Sequence, residues 1–196
     1  YSEIKSSDKP YKFKFDLRDD ETIKKQMQKT ALLSYLLYED GKIVVDEISP
    51  KDKFGKVFTN EAKYHSQSVG KSFASYILGH AICKGYVDSI DAQLNDWPIL
   101  ENTLYHDQKI IDLINMQAGD EKYFSPEDKS NIFANSSSRY SVTNRTILSA
   151  MNKELKDSKK SKKKWAYNNL LPHLILNYLI FKAGEDDFQN LLDDVF

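Results

Sequence analysis

Two residues at the start of an apolar segment could perform nucleophilic chemistry. Ser68 and Lys71 lie three residues apart in the stretch YHSQSVGKSFASYILGHAICKGY, which runs from Tyr64 to Tyr86. On a helix this spacing places both side chains on one face, where they can contact each other. A serine hydroxyl becomes a good nucleophile when a neighbouring base removes its proton, and a desolvated amine can act as that base. The pair therefore predicts a nucleophilic serine.

The sequence around Ser68 distinguishes this pair from other matches to the same spacing. Apolar residues recur at helical intervals after Ser68, and the N-terminus of such a helix would stabilise a developing oxyanion. The other three Ser-x-x-Lys matches lie in polar surroundings: Ser2/Lys5, Ser6/Lys9 and Ser161/Lys164. Simpler structural interpretations stay open, because serine is a preferred helix N-cap and a lysine beside an apolar face can extend its amine into solvent.

A second motif occurs in the same kind of context. Tyr167-Asn168-Asn169 is the only Tyr-x-Asn triplet in the chain, and it directly precedes the apolar run LLPHLILNYLIFKAG. Taken alone, Tyr167 could be a core aromatic with its hydroxyl at the surface, and Asn169 could be an N-cap. Both motifs therefore lie directly before an apolar helical run. Trp165 is interpreted as a packing residue or as the wall of a cleft for an apolar acyl group.

Strand patterns come first along the chain and helical patterns follow. TALLSYLLYEDGKIVVDEIS predicts two paired strands, because an Asp-Gly pair between two β-rich runs is typical of a hairpin. The helix after Ser68 is predicted to end near Gly85. Four more helices are predicted, in HDQKIIDLINMQAG, SVTNRTILSAMNKEL, LLPHLILNYLIFKAG and EDDFQNLLDDVF. This order indicates a mixed α+β chain with a helical region built onto a sheet.

The composition of the chain excludes several classes of partner. Its 196 residues are 40% hydrophobic and can bury a substantial core. With 28 basic and 29 acidic residues the formal net charge is -1, so no overall field directs the protein to nucleic acid. No apolar run is long enough to cross a bilayer, so no transmembrane segment is predicted. We therefore predict a small-molecule partner.

A lysine-rich run, KDSKKSKKK at residues 156–164, precedes the second motif. It holds six lysines in nine residues, without the interleaved arginines and aromatics that nucleic-acid grooves use. Most such runs are solvated loops. The sharper hypothesis is a loop at the rim of a cleft, where it attracts substrates that carry a carboxylate.

Three segments together resemble the penicillin-recognising serine hydrolase superfamily. They are SQSVGKSFASYILGHAICKGYVDSIDAQLNDWP, KIIDLINMQAGDEKYF and WAYNNLLPHLILNYLIFKAGEDDFQNLLDDVF. The chain looks most similar to class C β-lactamases, their esterase relatives and D-alanyl-D-alanine carboxypeptidases. In that superfamily a Ser-x-x-Lys serine opens a central helix, an LLNMTSG-like helix follows, and a Tyr-Ser-Asn loop precedes another helix. The resemblance runs from Val44 to Phe196, roughly three quarters of the chain.

The resemblance implies a serine hydrolase that forms an acyl-enzyme on a lactam, amide or ester carbonyl. Ser68 would attack the carbonyl and Lys71 would accept its proton. Tyr167 would relay that proton to the leaving group and later activate water, while Asn169 would position the substrate. The backbone amide of Ser68 would donate to the oxyanion. The same resemblance implies no metal and no organic cofactor, and suggests a periplasmic or secreted protein.

The resemblance also implies a β-lactamase/transpeptidase-like fold with an antiparallel sheet and a helical subdomain. Residues 1–74 would form the N-terminal part of the α/β subdomain, and residues 75–196 the mainly helical subdomain. The third motif of the superfamily, a Lys-Thr-Gly or His-x-Gly strand, does not occur after Tyr167. The sheet is therefore expected to be incomplete, with the rest missing or present as a separate chain. That departure favours an alternative function, a non-catalytic fold that binds peptidoglycan fragments or a protein partner.

Overall fold

The chain is a mixed α+β protein. The computed structural model describes residues 8–59, 61–63, 67–124 and 144–195. In these ranges it has seven α-helices and one three-stranded mixed sheet. The chain divides into two compact units, residues 1–66 and 67–196. The subdomain boundary expected between residues 74 and 75 lies inside a helix of the second unit, and that division stays a prediction.

The first unit contains the predicted hairpin. Strands β2 (Ser34–Glu39) and β3 (Lys42–Ile48) pair in antiparallel fashion, which confirms the two paired strands. The connecting Asp40 and Gly41 have φ values of 47° and 80°, the left-handed pair that a tight hairpin turn requires. The Asp-Gly signal was therefore sufficient to locate this turn.

A third strand makes the sheet mixed. Strand β1 (Lys14–Phe15) pairs in parallel with β3, giving the order β1-β3-β2. The expectation of an antiparallel sheet is therefore wrong for the described residues. The physical reason is the connection: a parallel pair needs a crossover, and here helix α1 (Glu21–Lys29) and β2 together separate β1 from β3.

Helix α1 is a second feature that the sequence did not predict. Asp20 caps it, since its carboxylate accepts hydrogen bonds from the amides of Thr22 at 3.0 Å and Ile23 at 3.1 Å. Met27 is the buried residue of this helix. The segment is polar and gave no apolar run, but Asp20 followed by Glu21 was a usable N-terminal signal.

The second unit begins at the predicted nucleophile segment. A 3₁₀ turn at Gln67–Val69 leads into helix α2 (Gly70–Cys83). The helix ends as predicted near Gly85, which has a φ of 81°. The amide of Tyr86 donates to the carbonyl of Ala81 at 3.0 Å, the long hydrogen bond of a Schellman motif.

The next predicted helix is much shorter than expected. Helix α3 spans only Ile110–Ile114, and α4 spans Glu121–Phe124, so the prediction of one helix closing at Gly119 is wrong in its length. The intervening chain turns twice through the left-handed region, at Met116 with a φ of 54° and at Gly119 with a φ of 71°. A right-handed helix cannot continue through such positions.

The remaining helices follow the predicted order. Helix α5 (Asn144–Ser149) continues as a π-helical turn at Ala150–Glu154, and the serine and threonine capping candidates before it lie outside the described residues. Helices α6 (Leu170–Ala183) and α7 (Glu185–Val195) confirm the last two predictions. Pro172 lies in the first turn of α6, where its missing amide hydrogen leaves no bond unmade.

Helix α6 lies at the centre of the core of the second unit. It packs against α2, α3 and α7, and its buried side chains are Leu170, Leu171, Leu174, Ile175, Tyr178 and Leu179. The packing of α6 against α2 joins the two segments that carry the predicted motifs. No described helix has both the length and the apolar character that a membrane span requires.

Candidate functional site

Three polar side chains predicted from the sequence meet at one point in the second unit. The hydroxyl oxygens of Ser68 and Tyr167 lie 2.5 Å apart. The Nζ atom of Lys71 donates to both, at 3.2 Å to Ser68 and 2.6 Å to Tyr167. A hydroxyl, an amine and a phenol are therefore mutually hydrogen-bonded, although Tyr167 is almost a hundred residues away in sequence.

The start of α2 positions Ser68 and Lys71. Ser68 lies in the 3₁₀ turn before the helix and Lys71 in its first turn. The helix N-cap is Val69, and it makes no side-chain capping bond. The Ser68 hydroxyl contacts Lys71 and Tyr167 instead of capping the helix, so the capping interpretation does not describe this serine. Ser68 is exposed and Lys71 is half-buried, which leaves the cluster open to solvent.

The segment 161–166 positions Tyr167 by running along the turn after α3. The amide and the hydroxyl of Ser161 both donate to the carbonyl of Gly119, at 2.8 Å and 3.0 Å. The amide of Ala166 donates to the carbonyl of Met116 at 2.9 Å. A Cβ atom on Gly119 would lie only 2.6 Å from the Ser161 carbonyl oxygen. Only glycine at position 119 permits this close approach of the two backbones.

A buried polar network holds the residue that follows Tyr167. Asn168, 3% exposed, donates from Nδ2 to Oδ2 of Asp120 at 2.7 Å and accepts from the amide of Leu170 at 2.7 Å. The hydroxyl of Tyr105 donates to the same Asp120 oxygen at 2.8 Å. Burial raises the pKa of Asp120, and the hydrogen bonds from Tyr105 and Asn168 oppose that effect. The sequence did not indicate this network, in which Asn168 stands where the resembled superfamily has a serine.

Asn169 occupies the position immediately before α6. Its side chain is half-buried and makes no capping hydrogen bond, while the amide of Leu170 donates to the side chain of Asn168. The N-cap interpretation of Asn169 therefore does not describe its side chain. Its role in substrate binding stays a prediction.

The charge of Lys71 controls the electrostatics of the cluster. The hydrogen bond from Lys71 is the largest influence on the pKa of Tyr167 and lowers it, and the hydrogen bond with Ser68 acts in the same direction. His173, on α6, has its pKa lowered by burial and then by the positive charge of Lys71. The lowered pKa makes the phenolate of Tyr167 more accessible than that of an ordinary tyrosine. Such a phenolate can accept a proton from the adjacent Ser68 hydroxyl.

The residues leading to Tyr167 include one exposed aromatic ring and two paired lysines. Trp165 is 61% exposed, and its ring centroid lies 6.4 Å from that of Tyr167. Lys163 forms an ion pair with Asp112, and Lys164 forms one with Glu121 at 2.8 Å. These two ion pairs connect the segment 161–166 to α3 and α4. The attraction of carboxylate substrates by the lysine-rich run 156–164 stays a prediction.

Comparisons with known proteins add no family assignment. No protein-family model matches the chain, and no curated protein gives a significant match. Among the described residues, no group of three or more His, Cys, Asp and Glu side chains is arranged to hold a metal ion. The function is therefore inferred from the geometry of the Ser68, Lys71 and Tyr167 cluster.

Proposed function

We propose that the protein is a serine hydrolase that acts through an acyl-enzyme intermediate on a lactam, amide or ester carbonyl. The single observation that supports this function most is the mutual hydrogen bonding of Ser68, Lys71 and Tyr167. The proposal includes a β-lactamase/transpeptidase-like fold. The α+β class and the position of Ser68 at the start of an apolar helix are consistent with that fold.

The distances favour Tyr167 as the immediate proton acceptor. Its oxygen lies 2.5 Å from the Ser68 oxygen, whereas the Lys71 nitrogen lies 3.2 Å away. The Lys71 ammonium lowers the pKa of Tyr167 and so increases the phenolate fraction. The spacing of Ser68 and Lys71 alone suggested direct transfer to the amine. The proposed relay instead assigns proton transfer to the phenol and electrostatic stabilisation to Lys71.

The proposed reaction has two half-reactions that balance. In the first, the Ser68 oxygen bonds to the carbonyl carbon as its proton passes to the Tyr167 phenolate. When the tetrahedral intermediate collapses, the phenol gives that proton to the departing amine or alkoxide, and the acyl group stays on Ser68. In the second, Tyr167 removes a proton from water, which attacks the acyl carbon. The proton then returns to Ser68 as the acid departs.

The backbone amide of Ser68 is the proposed donor to the oxyanion. It lies in the 3₁₀ turn that leads into α2, and amide groups at such a helix start have no intrahelical acceptor. A donor aimed at the developing charge contributes about 10²- to 10³-fold in rate. The positive end of the helix acts in the same direction.

Covalent labelling of Ser68 tests the proposed function. The protein is incubated with a fluorophosphonate and, separately, with a β-lactam, and the modified peptide is identified by mass spectrometry. We expect an adduct at Ser68 that is absent in Ser68→Ala and unchanged in Ser75→Ala, a matched control at an exposed serine of the same helix. Tyr167→Phe keeps the nucleophile and should label about 10²- to 10⁴-fold more slowly.

The opposite result would support the alternative function. If neither reagent modifies Ser68 in the folded protein, while peptidoglycan fragments bind with equal affinity to the protein and to Ser68→Ala, the cluster is not a nucleophilic site. The protein would then be a binding member of the resembled fold.

A further inference from the structure

The backbone on both sides of Tyr167 is held by hydrogen bonds to the segment 116–120. Before it, the Ala166 amide donates to the Met116 carbonyl at 2.9 Å. After it, the Asn168 side chain donates to Asp120 at 2.7 Å. Tyr167 itself is 48% exposed, so core packing alone does not fix its position. The position of its hydroxyl therefore depends on these two attachments as well as on its bonds to Ser68 and Lys71.

We propose that Asp120 is a positioning residue of the candidate site, which acts through Asn168 to hold the Tyr167 hydroxyl against Ser68 and Lys71. This inference rests on the proposed function for its effect on rate, but its structural part does not. Asp120 contacts neither Ser68 nor Lys71 in any of the hydrogen bonds of the described residues, and its effect is exerted through the backbone of residues 167 and 168.

The distances at the cluster leave little room for displacement of Tyr167. Its oxygen makes bonds of 2.5 Å to Ser68 and 2.6 Å to Lys71. A shift of about 1 Å would lengthen both beyond the usual hydrogen-bonding range. Misplacement of a reacting group by about 1 Å can lower the rate about 10²-fold. We call the hydrogen bond between Asp120 and Asn168 the brace. Because it lies one residue away from the phenol, its loss would displace the phenol enough to affect the proposed reaction.

The burial of Asp120 indicates that this residue fixes the position of the neighbouring chain. The residue is 1% exposed, and its Oδ1 atom has no hydrogen-bond partner among the described residues, so the carboxylate is only partly satisfied. An apolar pair of similar size would avoid this desolvation cost. A directional bond to Asn168, supported by Tyr105 on the same oxygen, restricts the chain to one arrangement in a way that apolar packing does not.

Exchange of the two partners separates a positioning role from a general loss of stability. Asn168→Asp sets two carboxylates against each other at the 2.7 Å contact and should break the brace. In Asp120→Asn/Asn168→Asp the amide hydrogens are now on position 120. One can bond the new carboxylate and the other the phenol oxygen of Tyr105, so the brace should be restored.

The first readout is the titration of Tyr167, which does not require catalysis. The ultraviolet difference between phenol and phenolate is followed with pH, and the same background carrying Tyr167→Phe is subtracted. We expect Asn168→Asp and the uncharged Asn168→Ala both to raise the pKa of Tyr167, because the phenol moves away from the Lys71 ammonium that lowers it. A rise in Asn168→Asp alone would be the effect of its added carboxylate and would count against the positioning role. The double variant should return the titration to that of the parent protein.

The second readout is hydrolysis of an activated ester. Asn168→Asp should lower kcat about 10²-fold with little change in KM, and the double variant should recover most of the loss. Asp96→Asn is the matched control, because Asp96 also accepts from a tyrosine hydroxyl, that of Tyr178 at 3.0 Å, in the same unit. It should reduce stability while leaving the Tyr167 titration unchanged.

The outcomes separate the two proposals. If the parent protein neither labels at Ser68 nor hydrolyses esters, the proposed function fails, yet the titration still tests the brace. If Asn168→Asp does not fold, Asn168→Ala removes the same bond without repulsion and is used in its place. A folded Asn168 variant with the parent titration of Tyr167, or a double variant with no recovery, would overturn the positioning role of Asp120.

Discussion

Replacement of Gly119 by alanine is expected to destabilise the second unit more than the same change at Gly85. Both glycines have positive φ, 71° and 81°, and an alanine in that region costs about 1 to 2 kcal/mol. At Gly85 nothing lies within 4 Å of the added Cβ atom, so the conformational penalty is the whole effect. At Gly119 the Cβ would lie 2.6 Å from the Ser161 carbonyl oxygen, a backbone atom.

The additional penalty at Gly119 comes from displacement of the segment 161–166. Overpacking of this kind costs typically about 1 to 3 kcal/mol, and the two Ser161 hydrogen bonds to Gly119 are weakened as the backbones separate. We therefore expect Gly119→Ala to lower the free energy of unfolding by about 2 to 5 kcal/mol. Gly85→Ala should lower it by about 1 to 2 kcal/mol.

Tryptophan fluorescence during urea unfolding is a suitable assay. The two tryptophans, Trp97 and Trp165, both lie in the second unit, so their emission reports on the part of the chain that contains both glycines. The urea concentrations at the unfolding midpoint are compared between variants whose free energy of unfolding falls with urea at the same slope. Equal losses for Gly119→Ala and Gly85→Ala would refute the reasoning, because Ser161 would then move away at no cost. Under the proposed function, only Gly119→Ala should also slow labelling of Ser68.

Two further predictions concern the candidate site. Lys71→Met removes the cation that lowers the pKa of Tyr167, so the pKa should rise and the phenolate should appear at higher pH in an ultraviolet titration; an unchanged titration would show that Lys71 does not control the phenol. Trp165→Ala should raise KM about tenfold for esters with a long or aromatic acyl group but not for acetyl esters, because the exposed ring beside Tyr167 is lost as an apolar wall. An equal change in KM for both kinds of ester would show that Trp165 does not line the binding site of the acyl group.

Local signals located most of the regular structure. Asp40-Gly41 marked the hairpin turn and Gly85 marked the end of α2, because Gly41 and Gly85 each have a positive φ that glycine tolerates. The contact between Ser68 and Lys71 is also local, since both lie within one turn at the start of α2. These features depend on residues only a few positions apart, which a sequence pattern can record.

Features that depend on distant contacts could not be predicted in this way. Helix α3 ends early because the chain after it turns at Met116 and again at Gly119. The carbonyls of these two residues accept hydrogen bonds from the amides of Ala166 and Ser161. The bond between Asp120 and Asn168 joins residues 48 positions apart, and neither has a local pattern that indicates the other. The approach of Tyr167 to Ser68 was expected only through the resemblance, and its catalytic role stays a prediction.

Under the proposed function, the placement of Ser68, Lys71 and Tyr167 on two separate pieces of chain links reactivity to the completion of folding. Ser68 and Lys71 come together as soon as the first turn of α2 forms, within nanoseconds to microseconds. The Tyr167 hydroxyl arrives only after the segment 161–166 has docked, an event that requires tertiary structure. Under that function, a newly synthesised or partly unfolded chain would carry Ser68 without its proton acceptor, and would acquire its nucleophile only on reaching the native state.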